Sequence, residues 1–384
     1  MNLVALKMLM GDRAKYIGIL IGITFASLLI TQQSAIFTGI MARTYAAITD
    51  LPAPDVWVMD PKVQYIDDIK PLQDTQLFRV RGVEGVDWAV PLYKGLLKAR
   101  LSNGNFQTTI VMGVDDATLI GGPIEMVEGR LEDLRRNDAV IVDEHGAASK
   151  LAHVLPDGTR KPLAVGDVIE LNDHRGTVVG ICKVARTFQS QPVIYTTYSR
   201  ATTFAPRERR LLSFVLVKGK PGVDLAELCA RIQDATGLVA SSGADFRWTT
   251  MMYFMKYTGI PINFGMSVLL GFLVGTIVAG MTFFNFTLDN LRHFGALKAM
   301  GASPWRLTGM IVLQALLVGS LGWGIGVGGA ALFGHVTRNT ELAFRMPWQL
   351  LAISGTAVLL ICTISALICI VKVLRLEPAI VFKS

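Results

Sequence analysis

Asp289-Asn290-Leu291-Arg292-His293-Phe294-Gly295-Ala296-Leu297-Lys298-Ala299-Met300-Gly301-Ala302-Ser303-Pro304 lies between two long apolar runs, and its reading decides how the rest of the chain is understood. Phe294, Leu297 and Met300 step by three and form one apolar stripe of a helix. Gly295, Ala296 and Ala299 form a small-residue face that lets another surface approach. Gly301 suits the left-handed position just past a helix end. Ser303-Pro304 reads as the N-cap and first-turn proline of the next helix. A helix this short is below the ~12–15 residues that are marginal alone in water, so it must dock on something. An ordinary capped loop helix would show the same spacing.

Outward from this stretch the chain is apolar. Of its 384 residues 51% are hydrophobic, and the mean hydropathy is +0.45, which points to a membrane protein. Four runs, at 16–37, 261–288, 307–334 and 348–374, are each long enough to cross a hydrocarbon core ~30 Å thick. Between the first and second lies a polar stretch, 38–260, long enough for one or two folded domains. The sequence therefore predicts an α+β membrane protein, with four transmembrane helices and a large α+β domain between helices 1 and 2.

The net charge of +7 resembles a nucleic-acid signal until it is mapped. Residues 38–260 carry 26 basic and 26 acidic side chains, so the excess falls on the remainder. There it sits beside the spans, at Lys7, Arg13 and Lys15, at Arg292, Lys298 and Arg306, and at Lys372, Arg375 and Lys383. The positive-inside rule then puts both termini, the 289–306 segment and the 375–384 tail in the cytoplasm, and the 38–260 domain and the 335–347 loop outside. The basic balance is topology, and no nucleic-acid partner follows from it.

Residues 1–15 place Leu3, Leu6 and Met10 on one side, with Lys7, Arg13 and Lys15 nearby, and read as an amphipathic helix at the inner membrane surface. Gly18 and Gly22 give the first span a small-x-x-x-small face. Glycines crowd the third span, where Gly322 and Gly326 offer close helix packing within the bundle or across a homodimer. In the 38–260 domain Val56-Trp57-Val58 suggests a strand. Further strands are predicted at Leu96–Leu101, Gln107–Gly113, Ala139–Val142, Asp167–Leu171, Thr177–Val184 and Ser213–Lys218. Asp224–Thr236 reads as an amphipathic helix with Leu225, Leu228 and Ile232 inward. Trp248–Ile260 reads as a stalk into the second span. Cys182 and Cys229 share a compartment that allows a disulfide, but spacing does not show one.

Arg292-x-x-Gly-x-Leu-Lys-Ala-Met-Gly-Ala-Ser resembles the cytoplasmic motif of FtsX/MacB-type (type VII) ABC transporter permeases. The usual acidic residue after the arginine is His293 here. Gly166-Asp-Val-Ile-Glu-Leu, Gly176-Thr-Val-Val-Gly-Ile and Glu128-Gly-Arg, in their order, resemble the MacB-like periplasmic core domain. Arg375-Leu-Glu-Pro-Ala-Ile-Val-Phe resembles the family's C-terminal signature. Asp55-Val-Trp-Val-Met-Asp-Pro, Val90-Pro-Leu-Tyr, Gly113-Val-Asp-Asp-Ala-Thr-Leu and Gln32-Gln33-Ser34-Ala-Ile-Phe are most similar to DevC-like exporter permeases. The resemblance implies a homodimer in the bacterial inner membrane, embedded in the lipid bilayer. It also implies a separate ABC ATPase subunit, a periplasmic adaptor and a TolC-like outer-membrane channel. By the same resemblance 289–306 is a coupling helix, with Arg292, Phe294, Gly295, Leu297, Lys298, Met300 and Gly301 as its ATPase-coupling residues.

Other chemistry is not visible. No Gly-x4-Gly-Lys-Ser/Thr phosphate loop occurs, so ATP hydrolysis is expected in a partner, with no cofactor held here. No His/Cys cluster has metal-ligand spacing. Asp67-Asp68 and Asp115-Asp116 sit among turn residues and read as solvated loops rather than acid/base pairs. No ionisable residue lies deep in a predicted span, which argues against an ion-coupled secondary transporter. Asn285, Thr276 and Gln314 read as interhelical hydrogen-bonding groups. Two alternatives to an exporter stay open within the resemblance, an FtsX-like regulator of cell-wall hydrolases and a lipoprotein-extracting permease.

Overall fold

The chain was analysed as a computed structural model, which describes residues 2–155, 158–206 and 211–374. The C-terminal signature at 375–384 lies outside the described residues. In chain order the elements begin with helices α1 (Asn2–Gly11), α2 (Arg13–Thr44) and α3 (Ala46–Thr49), strand β1 (Val56–Met59), helix α4 (Asp74–Arg81), and strands β2 (Val86–Arg100), β3 (Phe106–Val114), β4 (Glu125–Glu128) and β5 (Ala139–Asp143). Helix α5 (Glu144–Ala148), strands β6 (His153–Val154), β7 (Arg160–Lys161), β8 (Val168–Leu171), β9 (His174–Lys183) and β10 (Val193–Thr197), helix α6 (Tyr198–Phe204) and strand β11 (Phe214–Gly219) follow. The chain then runs through α7 (Leu225–Thr236), β12 (Val239–Ser242), α8 (Gly243–Tyr257), α9 (Ile260–Asp289), α10 (Leu291–Ala299), α11 (Pro304–Val336) and α12 (Trp348–Leu374). It divides into two units, one of residues 1–40 and 259–384, the other of residues 41–258.

In the first unit α2, α9, α11 and α12 are long and apolar enough to cross a membrane. The helices α2, α9 and α11 run past the apolar stretches read from sequence, because helical hydrogen bonding does not stop where hydrophobicity does. Their shared core includes Ile19, Ile23 and Ile30 of α2, Phe283 and Phe286 of α9, Met310 and Ile311 of α11, and Ile361 of α12. Van der Waals packing, not water exclusion, holds such a core in lipid, so small residues matter. A Cβ on Gly326 would come 2.6 Å from Ser27 Cβ and 2.8 Å from the Leu28 amide nitrogen. One on Gly322 would come 2.7 Å from Ile23 Cγ2, and one on Gly22 2.7 Å from Val278 Cγ1. Gly18 is looser, with Thr282 Cγ2 at 3.5 Å. Gly322 and Gly326 thus face α2 of the same chain.

The N-terminal helix packs through a different face from the Leu3, Leu6 and Met10 side read from sequence. Ala5 and Leu9 are fully buried in the bundle core, while Met10 is 65% exposed. The Gln314 side-chain amide donates to the Ala5 carbonyl at 2.7 Å. The i, i+4 pair Ala5 and Leu9 is the seam, and a buried amide that finds a carbonyl fixes it. Thr276 is also a correction: its hydroxyl donates to Phe272 in its own helix, at 2.8 Å.

The second unit is built on a sheet in the order β12-β1-β11-β2-β3-β10-β5-β9-β4, with β8 paired to both β2 and β9. The four-residue strand β1 is wholly buried, and Trp57 packs against Phe214 and Phe246 with ring centroids 5.6 and 5.7 Å away. Each such aromatic pair contributes about 0.5–1.5 kcal/mol beyond its burial. On α7, Leu228 and Ile232 are fully buried but Leu225, also predicted inward, is 36% exposed. Cys182 is buried, Cys229 is half-buried, and both are free thiols. Burial pushes the Cys182 thiol pKa well above its ordinary range, so it stays protonated.

Candidate functional site

The segment joining α9 to α11 is formed by local rules and then anchored. Asn290 closes α9 by donating its side-chain amide to the Phe286 carbonyl at 2.9 Å. From there α10 turns away and places Phe294 and Gly295 inward. Phe294 is fully buried and joins the bundle core. At the far end Met300 is the C-cap and Gly301 has φ +92°. The Gly301 amide donates to Lys298 at 3.1 Å and the Ala302 amide to Leu297 at 3.0 Å. This is a Schellman ending, and it requires the left-handed backbone that glycine adopts without strain. Ser303 occupies the N-cap position of α11 and Pro304 its first turn, but the Ser303 side chain makes no capping hydrogen bond. The proline and the backbone geometry start this helix, not the hydroxyl.

The apolar stripe read from sequence divides in the structure. Phe294 is buried, Leu297 is half-buried against the same core, and Met300 is 76% exposed. Beyond the turn Trp305 is 84% exposed. The outer surface of the turn therefore carries Met300 and Trp305, with the exposed cations Arg292 and Arg306 on the same segment. Lys298 is half-buried. Trp305 is the residue that sequence reasoning missed. Its signal was an aromatic in the first turn of a helix, following a proline, where no core awaited it.

A second feature steadies the segment. The Lys15 ammonium bonds the Asp289 carboxylate at the end of α9, and also Asp12 at 2.8 Å. Asp12 sits at the break between α1 and α2. Among the described residues, no group of three or more His, Cys, Asp or Glu could hold a metal ion.

Of the other carboxylate pairs, Asp115-Asp116 lies in a turn with Asp116 exposed, as the sequence suggests, whereas Asp67 is drawn out of solvent. Asp67 is 12% exposed and pairs with the buried Lys94 ammonium. Asp115 accepts the Thr118 amide and hydroxyl at 2.9 and 2.8 Å, shaping its own turn. Asp116 accepts the Ser199 hydroxyl at 2.6 Å.

Four apolar helices with one α+β unit between the first and second define the class, a polytopic membrane protein with a large inserted domain. A family model described as MacB-like periplasmic core domain matches residues 16–235. A second, described as FtsX-like permease C-terminal, matches residues 265–378. The chain belongs to the FtsX/MacB-type permeases, the type VII ABC permeases, a family that works with an ABC ATPase.

Solved structures similar to part of the chain include the extracellular domain of the ABC-type transporter YknZ from Gram-positive bacteria, 14% identical over 49% of this chain and 98% of that one, with TM-score 0.34. The periplasmic region of MacB from Actinobacillus actinomycetemcomitans is 14% identical over 53% of this chain and 94% of that one, with TM-score 0.38. A domain of a permease protein from Porphyromonas gingivalis is 16% identical over 49% of this chain and 88% of that one, with TM-score 0.32. No curated protein matches the chain.

Proposed function

We propose that this chain is the permease subunit of an ABC-type exporter of the bacterial inner membrane, closest to the DevC-like subtype. It works as a homodimer and passes ATP-driven motion of a separate ATPase to periplasmic domains. A periplasmic adaptor and a TolC-like outer-membrane channel complete the route. In this reading the 289–306 segment is the coupling helix, and the ATPase binds its outer surface. The observation that carries it is the exposed pair Met300, at the end of the short helix α10, and Trp305, in the first turn of α11, on a segment that Phe294 anchors to the bundle. An exposed aromatic and an exposed methionine beside cations have the composition of an interface anchor. Phe294 and Gly295 then act on the inner side, joining the coupling helix to the bundle, while Arg292, Lys298 and Gly301 set its charge and its angle.

The test is co-purification. Met300→Asp combined with Trp305→Asp places two carboxylates in the docking surface, and desolvating them unpaired costs several kcal/mol. Loss of the ATPase and of export is expected, with normal membrane insertion. If the ATPase stays bound at the wild-type level and export continues, the segment is an ordinary capped loop. The size of the 41–258 unit supports an exporter over a cell-wall regulator, whose outer domain is generally smaller. A neighbouring adaptor gene would favour the exporter, and a hydrolase partner the regulator.

A further inference from the structure

Hydroxyls within apolar helices have a default partner, the carbonyl four residues back in the same helix. Thr276, Thr282, Thr356, Thr363 and Ser365 all take it, at 2.7–2.9 Å. Ser27 and Thr31 of α2 do not. Ser27 Oγ donates across the bundle to the Trp323 carbonyl of α11 at 3.2 Å. Thr31 is fully buried, and among the described residues its Oγ1 has no hydrogen-bond partner. It is a donor whose desolvation nothing offsets.

Contacts between α2 and α11 fix which helix Thr31 faces. A Cβ on Gly322 would come 2.7 Å from Ile23 Cγ2 and 3.3 Å from the Thr24 amide nitrogen. One on Gly326 would come 2.6 Å from Ser27 Cβ and 2.8 Å from the Leu28 amide nitrogen. The two helices therefore run parallel, and four residues along α2 match four along α11. Thr31 is one turn past Ser27 and seven residues past Thr24, so it lies on the α11 side of α2. The carbonyl one turn past Trp323 belongs to Val327. At this level a different contact takes over. A Cβ on Gly329 would come 2.7 Å from Leu28 Cδ1, and among the described residues nothing else lies within 4 Å of it. The tip of Leu28 thus stands between the helices where their backbones would otherwise close. It is the end of a side chain with rotamers to choose from.

We propose that α2 and α11 have a second, closer arrangement, in which the Leu28 tip leaves Gly329 and Thr31 donates its hydroxyl to the Val327 carbonyl. The Ser27–Trp323 bond stays and acts as the pivot. The seam then holds one bond in the open arrangement and two in the closed one. Glycine at 322, 326 and 329 leaves room for the approach. The Val327 oxygen can accept a hydroxyl beside its helical amide, because a carbonyl has two lone pairs. The helix α11 starts at the turn that ends α10, and the chain of α2 leads on into the 41–258 unit. A closing seam lets a displacement of α11 reach α2. That use rests on the coupling-helix reading; the two arrangements themselves do not.

The test is a cycle of melting temperatures on the full chain in detergent, with no ATPase present. Thr31→Val keeps the shape and removes the hydroxyl. In the open arrangement that hydroxyl is unbonded, so the variant should melt at or above the wild type. Leu28→Val removes the wedging tip and favours the closed arrangement. In that background Thr31→Val deletes a formed bond, and should lower the melting temperature by ~2–4 °C relative to Leu28→Val alone. Thr276→Val, whose hydroxyl bonds its own helix, is the control and should shift both backgrounds alike. If Leu28→Val does not fold, Leu28→Met, whose unbranched end can turn away, takes its place. A lower melting temperature for Thr31→Val in the wild-type chain would show that the hydroxyl is already bonded. Equal shifts in the two backgrounds would show that no second arrangement forms. Either result overturns the proposal and leaves the coupling-helix reading standing.

Discussion

Gly301 and the span glycines show how much a single Cβ can matter here. At φ +92° a β-branched residue strains the backbone. Gly301→Val should cost about 1–2 kcal/mol and misaim α10. The expected result is an ATPase that still co-purifies but whose hydrolysis no longer drives export, and wild-type export would refute it. Gly322→Leu and Gly326→Leu push a side chain into α2, and overpacking costs about 1–3 kcal/mol. A Cβ at Gly324 meets nothing within 4 Å. Thermal unfolding in detergent should separate the first two variants from Gly324→Leu. If all three melt with the wild type, the close approach of α11 to α2 is not what stabilises the bundle.

At the scale of elements, α10 is an anchored lever rather than a free docking helix. Reading its stripe as one surface predicts that Leu297→Asp removes the ATPase and spares the spans. Leu297 instead packs on the bundle core, so the aspartate should lower bundle stability as well. Phe294→Ala should be worse, at about 3–5 kcal/mol for a buried phenylalanine. Met300→Asp with Trp305→Asp should leave the melting temperature unchanged. A double variant that melts as early as Phe294→Ala would show that the outer surface is part of the bundle after all. The helix α1 is likewise an element of the bundle. Gln314→Leu removes the hydrogen bond that ties α1 to α11, worth ~0.6 kcal/mol in such settings. Faster hydrogen exchange across Asn2–Gly11 is expected, and unchanged protection would mean that Ala5 and Leu9 suffice.

For the whole molecule the charge map makes a topological prediction. Residue 102 lies in the β2–β3 turn of a unit whose charges balance, while the excess of cations borders the spans. Ser102→Cys should react with an impermeant thiol reagent in cells whose outer membrane is permeabilised. Reaction only after the inner membrane is broken would invert the assignment. Cys182 is buried and its thiol protonated, so it stays silent in this assay, and the half-buried Cys229 is replaced by serine in the background chain.

The sequence by itself determined the four apolar helices, because ~20 consecutive apolar residues have few other stable settings. It also determined the Schellman turn, because Gly301 and the helix before it obey rules that reach only a few residues. Strands with clear alternation, such as β8, were legible for the same reason. The strand β10, all five residues buried with two threonines among them, has no alternation and was not. Only the tertiary structure decided which side of α10 faces the bundle, since Phe294, Leu297 and Met300 are chemically alike and differ in what packs on them. It also decided the fate of Asp67. A carboxylate in a turn reads as solvated until a lysine 27 residues away, on β2, is brought against it. Contacts of that range carry no local periodicity, so no window on the sequence contains them.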